Sequence, residues 1–298
     1  MRRLSVRLAL GSLTLLTGAL VLSAAPAAAQ TRVSTFPRQS PSASVSQTFG
    51  VTTATVTYGR PALKGRPIFS AADGDLAPAG GVWRTGADEA STITFTTGVS
   101  VEGRPLAAGT YGLFTIPGAA RWTVVFNRVP AQWGAFQYDA TQDALRVDVA
   151  PTTGTPAMER FTILFDAVTD TTARMVLAWG ETRVPVSFSA RTPALIRAAG
   201  DAAAADATDW RVPFRYASFA LSGGSMTSEG RTWAARAVAL DPNYSTLRLS
   251  ALYAAAANDY RTAVETGERA LALARAQATP PQGLAEFEGR LTTWRAQR

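Results

Sequence analysis

The alternation of apolar and polar residues divides the chain into two parts. From Ser44 to about Ala190 the period is two. In "VTTATVTY" at 51–58, Ala54, Val56 and Tyr58 alternate with threonines, and Ile93 and Phe95 do so in "STITFTT" at 91–97. Trp122, Val124 and Phe126 share one face of "WTVVFN", and Leu145, Val147 and Val149 alternate with Arg146 and Asp148. The rhythm returns in Phe161–Ile163–Phe165, Met175–Leu177–Trp179 and Val184–Val186–Phe188. Such a period places successive side chains on opposite faces of a strand. Glycine pairs such as Glu102-Gly103, Pro117-Gly118 and Trp179-Gly180 punctuate the runs. Eight to ten short strands without crossover helices predict an antiparallel sandwich, or a barrel-like closure of it.

After Thr192 the period becomes helical and alanine dominates. Pro193 marks a helix start, because proline's fixed φ suits a first turn. The pattern predicts helices at 228–240, 244–257, 260–277 and 284–297, broken at Asp241-Pro242, at Asn258-Asp259 and in "ATPPQG". "AVALDPNYS" and "NDYRTAVETGERAL" resemble tetratricopeptide repeats, with Ala237, Pro242, Tyr260, Ala263 and Ala270 near the small, turn and packing positions. About one and a half units are present. An ordinary alanine-rich helical hairpin fits the same residues.

The N-terminus reads as a secretory signal over 1–29. Arg2, Arg3 and Arg7 precede an apolar core from Leu8 to Leu22, and Ala27-Ala28-Ala29 supplies a cleavage site. The core is short for a membrane span, so none is expected after cleavage. Residues 30–43 form a polar, proline-containing leader, 44–190 the β-domain and 191–298 the helical tail. The formal charge of +7 shrinks once the signal is removed, because three of the 29 basic residues lie in it; 26 basic then face 22 acidic residues, a net +4. The cations are scattered, which speaks against a nucleic-acid partner. The chain has no His and no Cys. That excludes Ser-His-Asp and Cys-His triads, His/Cys zinc sites, iron–sulfur ligation and disulfides. No cofactor or metal is expected. "AADGDLAP" at 71–78 spaces Asp73 and Asp75 like part of a calcium loop without supplying the rest of one.

Three clusters remain as candidates. "GVWRTGADEAST" at 81–92 gathers Trp83, Arg84, Asp88 and Glu89. Neighbouring carboxylates ahead of a strand diverge, so they make a poor acid–base dyad, although either could meet a distant Asp139 or Asp143. The framework reading has Gly86 in a tight turn, Asp88 capping backbone, Trp83 packed, and Arg84 paired with Glu89 or another buried carboxylate. "YGRPALKGRPIF" adds Tyr58, Arg60, Lys64 and Arg66, a receptor for an anion or a proline-stiffened loop with solvated charges. "QWGAFQYD" carries Trp133, Phe136 and Tyr138, suited to stacking sugars or to lidding the sandwich.

The order of these motifs resembles a family. Tyr58-Gly59-Arg60-Pro61, Lys64-Gly65-Arg66, Trp83-Arg84-Thr85-Gly86, Gly109-Thr110-Tyr111, Phe114-Thr115-Ile116-Pro117 and Trp133-Gly134 follow the sequence of the domain-of-unknown-function family 2911 of exported bacterial proteins. The resemblance implies export to the periplasm or beyond and brings no activity with it. It departs at Asp88, where that family usually has Asn. The expectation is a non-catalytic envelope binding or scaffolding protein, with a glycan or small anionic ligand, or a protein partner on the helical tail. The alternative is a His-free, carboxylate-dependent enzyme on an envelope glycan. Tyr58, Arg60, Lys64, Arg66, Trp83, Arg84, Asp88, Glu89, Tyr111 and Trp133 are the binding-or-framework candidates; none is assigned as catalytic.

Overall fold

The computed structural model describes residues 36–70, 75–224 and 226–298. The expected signal, most of the expected leader and Asp73 lie outside them. The chain divides into a unit Met1–Pro37 and a unit Arg38–Arg298. All that follows belongs to the second.

Among the described residues eleven strands form two antiparallel sheets. They are β1 (Ser42–Phe49), β2 (Thr52–Gly59), β3 (Ser91–Phe95), β4 (Val99–Val101), β5 (Arg104–Leu106), β6 (Gly109–Ile116), β7 (Trp122–Asn127), β8 (Asp143–Val149), β9 (Met158–Asp166), β10 (Thr172–Gly180) and β11 (Thr182–Ala190). One sheet runs β1-β2-β3-β6-β7-β8 and the other β5-β4-β11-β10-β9. Each keeps two edges, so the arrangement is a sandwich and not a closed barrel. The expected alternation holds in β2 and β3, where Ala54, Val56, Tyr58, Ile93 and Phe95 point inward. They meet Phe161, Ile163, Met175, Leu177, Trp179, Val186 and Phe188 of the opposite sheet in one continuous core.

Three strands, β6, β7 and β10, lose the alternation of burial, the first two for a local reason. In β6 and β7, Leu113, Val124 and Phe126 enter the main core, while Phe114 and Val125 are just as buried on the outer face. There they join Ala90, with Val82, Ala135 and Tyr138 packed against them. The segments around 82–90 and 132–138 therefore cover the outside of this sheet. A strand buried on both faces shows no period of two.

Six helices follow: α1 (Thr192–Asp206), α2 (Arg211–Gly223), α3 (Thr227–Leu240), α4 (Tyr244–Ala256), α5 (Tyr260–Arg275) and α6 (Leu284–Ala296). Pro193 sits in the first turn of α1, as expected. The break at Asp241-Pro242 ends at Asn243, which caps α4 in a reciprocal box with Thr246. Asp259 caps α5 through Thr262. Ala237, Ala263 and Ala270 are fully buried, where small side chains let helices approach closely. The helices bury two clusters of their own, which share no residue with the sandwich core. At the junction, the Thr192 hydroxyl donates to the Asp170 carbonyl oxygen at 2.8 Å. Among the described residues no helix is long and apolar enough to cross a membrane.

Candidate functional site

The segment 83–90 starts beside β6, with Trp83 in the inter-sheet core, and is held from both sides. Trp83 exchanges backbone hydrogen bonds with Thr115 of β6 at 2.8 and 2.9 Å. On the other side the Ala90 N–H donates to the Gln132 carbonyl at 2.9 Å, and the Gly134 N–H to the Asp88 carbonyl at 3.1 Å. Between these anchors the backbone turns sharply twice, with Thr85 at φ 53° and Asp88 at φ 62°. Asp tolerates the left-handed region because its short side chain can bond locally, and Asn tolerates it as well. Gly86 is required by proximity: a Cβ there would lie 2.9 Å from the Ser91 hydroxyl and 3.0 Å from the Gly59 carbonyl.

The adjoining segment 60–66 is a tight turn. The Arg66 N–H donates to the Leu63 carbonyl at 3.0 Å, and Lys64 and Gly65 at its centre have φ of 49° and 71°. Two central residues at positive φ make a primed turn, which points Lys64 outward. The Glu159 carboxylate receives the Lys64 backbone N–H at 2.9 Å.

Between these segments lies a solvent-open cleft of about 480 Å3. Arg38, Lys64, Arg66 and Arg84 line it, together with Asp88 and the ring of Trp133. Pro61, Leu76, Ala87 and Trp179 form its apolar floor and walls. Of the eight non-glycine residues at positive φ, Lys64 and Asp88 line this cleft, and Thr85 lies between two lining residues, Arg84 and Gly86. Sparsely populated backbone conformations cost about 1–3 kcal/mol each and gather at functional sites.

The electrostatics separate one cation from the others. Arg38 and Glu89 form a bidentate pair at 2.8 and 3.0 Å, with both side chains about half exposed. That hydrogen bond to Arg38 holds the Glu89 carboxyl below its ordinary value of 4.5. Arg66 donates to the Leu63 and Ala62 carbonyls at 3.1 and 2.9 Å. Arg84 differs from both. Its Nε is buried with no hydrogen-bond partner, and it makes no ion pair among the described residues. The expected Arg84–Glu89 pair therefore does not form, because Arg38 from the preceding segment has taken the carboxylate. Arg84 passes close to Gly134, where a Cβ would stand 3.6 Å from its Nη1.

The sequence candidates thus separate into two groups. Lys64, Arg66, Arg84, Asp88 and Trp133 converge on the cleft, and Glu89 is tied to its rim through Arg38. Tyr58, Arg60, Trp83 and Tyr111 do not line it. The Tyr58 hydroxyl donates to the Ile163 carbonyl at 3.3 Å and accepts the Ile163 N–H at 2.9 Å, tying β2 to β9 across the sandwich. Arg60 donates to the Phe161 carbonyl at 3.1 Å and to the Thr162 hydroxyl at 2.7 Å. Trp83 stacks on Trp179 with centroids 5.6 Å apart and donates its Nε1–H to the Gly86 carbonyl at 3.1 Å. The Tyr111 hydroxyl donates to the Ala107 carbonyl at 3.0 Å.

The more distant carboxylates are engaged elsewhere. Asp139 accepts from Thr141 at 2.9 Å. Asp143, 8% exposed, accepts from Tyr138 at 2.7 Å, Asn127 at 2.9 Å and Arg146 at 2.6 Å. Burial, reinforced by Asp143, pushes the Tyr138 phenol up to about 12. Tyr138 packs against Phe114 beneath the loop, whereas Trp133 and Phe136 are 59% and 84% exposed. Asp75 accepts from the Ser70 N–H and hydroxyl at 2.6 and 2.7 Å, ordering its own loop. Among the described residues no cluster of carboxylates could hold a metal. Arg38 is the cleft residue that sequence reasoning missed. It lies in the stretch read as leader, and its partner is 51 residues away.

Neither the curated proteins nor the solved structures include a match to this chain. The family described as "protein of unknown function", DUF2911, does match, over residues 40–188. That span takes in both sheets and every residue lining the cleft except Arg38 and Gln39, and covers half of the chain. The chain is a member of the DUF2911 family of proteins of unknown function.

Proposed function

We propose that this is an exported bacterial envelope protein that binds a small anionic ligand in the cationic cleft, without catalysing its conversion. The observation that carries the proposal is Arg84. Its side chain makes no hydrogen bond and no ion pair among the described residues, and it lines a cleft shared with three further cations. A carboxylate or phosphate in the cleft would meet its terminal Nη groups in the planar, two-point manner that arginine favours. Cleavage of a glycosidic bond calls for two carboxyl groups across that bond. Among the described residues Asp88 alone supplies one to the lining. Export rests on the expected signal at 1–29, and a protein partner on the tetratricopeptide-like helices stays part of the same proposal.

Calorimetric titration with sulfate, phosphate and acetate at constant ionic strength tests the reading. Saturable binding that disappears in Arg84→Ala is expected. Heats no greater than dilution for every anion would refute it.

A further inference from the structure

Four cations alone would suit any anion; the remaining lining residues narrow the choice. Asp88 is an acceptor-only group set among cations, and its side chain makes no hydrogen bond among the described residues. It would repel a bare anion, so its presence calls for a donor on the ligand, such as a pair of hydroxyls. Trp133 leaves 59% of its surface at the rim instead of packing it. An exposed indole beside a polar cleft offers a flat apolar face with water at its edge. The space, about 480 Å3, suits a small organic molecule far better than an inorganic ion.

We infer that the ligand is a pyranose carrying an acidic group, with the acid on Arg84, ring hydroxyls donating to Asp88 and one ring face on Trp133. This rests on the anion-binding reading above and specifies its ligand. Each feature has one counterpart. The guanidinium fork donates to a carboxylate or phosphate at two points. The Asp88 carboxylate has two oxygens for neighbouring hydroxyls. The indole covers the C–H face of a sugar ring. Lys64 and Arg66 stand on an exposed turn at the mouth, where they would meet acidic units further along an anionic glycan. Arg38 is held in place by Glu89 and completes the cationic wall.

The test compares glucuronate, glucose phosphate, glucose, acetate and inorganic phosphate by calorimetric titration against the parent, Asp88→Asn, Trp133→Ala and Arg84→Ala. At least one acidic sugar is expected to bind about tenfold tighter than both simple anions, a difference of about 1.4 kcal/mol. Whether glucuronate or glucose phosphate is the tighter tells a carboxylate ligand from a phosphorylated one. Trp133→Ala, on an exposed side chain, should weaken the acidic sugar about tenfold and leave inorganic phosphate unchanged. Asp88→Asn, which keeps a residue tolerant of positive φ, should weaken the sugar but leave simple anions equal or tighter. If simple anions bind as tightly as the acidic sugars and Trp133→Ala changes nothing, the sugar is wrong while the anion site stands. If glucose binds as tightly as glucuronate, the acid is irrelevant and this inference fails. If nothing binds, both readings fail together.

Discussion

Asp88, Arg84 and Glu89 are neighbours in sequence with three different duties. The backbone at Asp88 is left-handed, φ 62°. Asp88→Asn should therefore leave the melting temperature unchanged, whereas Asp88→Val places a β-branched residue where the left-handed region costs about 1–2 kcal/mol or more. Asn at this position in the resembled family fits the same backbone demand. Glu89 belongs to an exposed pair, and its contribution depends on pH in a defined direction. Its carboxyl is held below 4.5 in the folded chain, first by the hydrogen bond from Arg38. Stability from this pair is complete above pH 4.5, the unfolded value, and is lost as pH falls through the lower folded value. Glu89→Gln should remove that part of the acid dependence and lower neutral stability by the same amount, small for an exposed pair, as melts across the acid range would show. Framework and site could not be told apart from "GVWRTGADEAST" alone. The partner that decides Glu89's duty is Arg38, and nothing local signals a contact 51 residues away.

Among the elements, those that follow one face of the core were readable from the sequence. β2, β3, β8 and β11 lie where alternation places them, β7 and β10 keep it only through the residues on their core face, and the helix breaks fall at Asp241-Pro242 and Asn258-Asp259. β6 carried no such signal because Phe114 and Leu113 are buried on opposite faces. β4 and β5, three residues each, are too short to show a period. The cleft itself was legible only in pieces: its residues come from the segments near 38, 64, 84–88 and 133, and the fold alone brings them together. Ties between elements make their own predictions. Tyr58→Phe removes the hydroxyl that serves both the N–H and the carbonyl of Ile163. Leaving buried backbone groups unpaired should cost about 1–3 kcal/mol, read by denaturant unfolding, without affecting anion binding. The Tyr138 phenol is raised from 10.0 to about 12, first by burial. Its contribution is complete below pH 10, the unfolded value, and is lost as pH rises through about 12. Tyr138→Phe should remove one late-titrating phenol from an absorbance titration, with that of Tyr253, also raised by burial to about 12, still present.

Across the whole molecule, a sandwich holds its core in two sheets and a helical array holds two cores of its own. Limited proteolysis near 190–209 should therefore release a β-rich fragment that melts cooperatively; a fragment 44–190 that cannot fold would show that the helices complete its core. On the proposed reading, Arg84 is kept unpaired for a ligand and not for the fold. Binding sites commonly cost stability, and replacing the unpaired cation should return some of it. The most direct test is a thermal melt of the parent, Arg84→Ala and Arg84→Met at constant ionic strength, with and without glucuronate. Both variants should melt at or above the parent's temperature without ligand. Glucuronate should raise the parent's midpoint with concentration, as a native-state ligand must, and leave both variants unmoved. A fall in stability of about 3–5 kcal/mol in Arg84→Ala, the size expected when a buried ion pair loses one member, would contradict it.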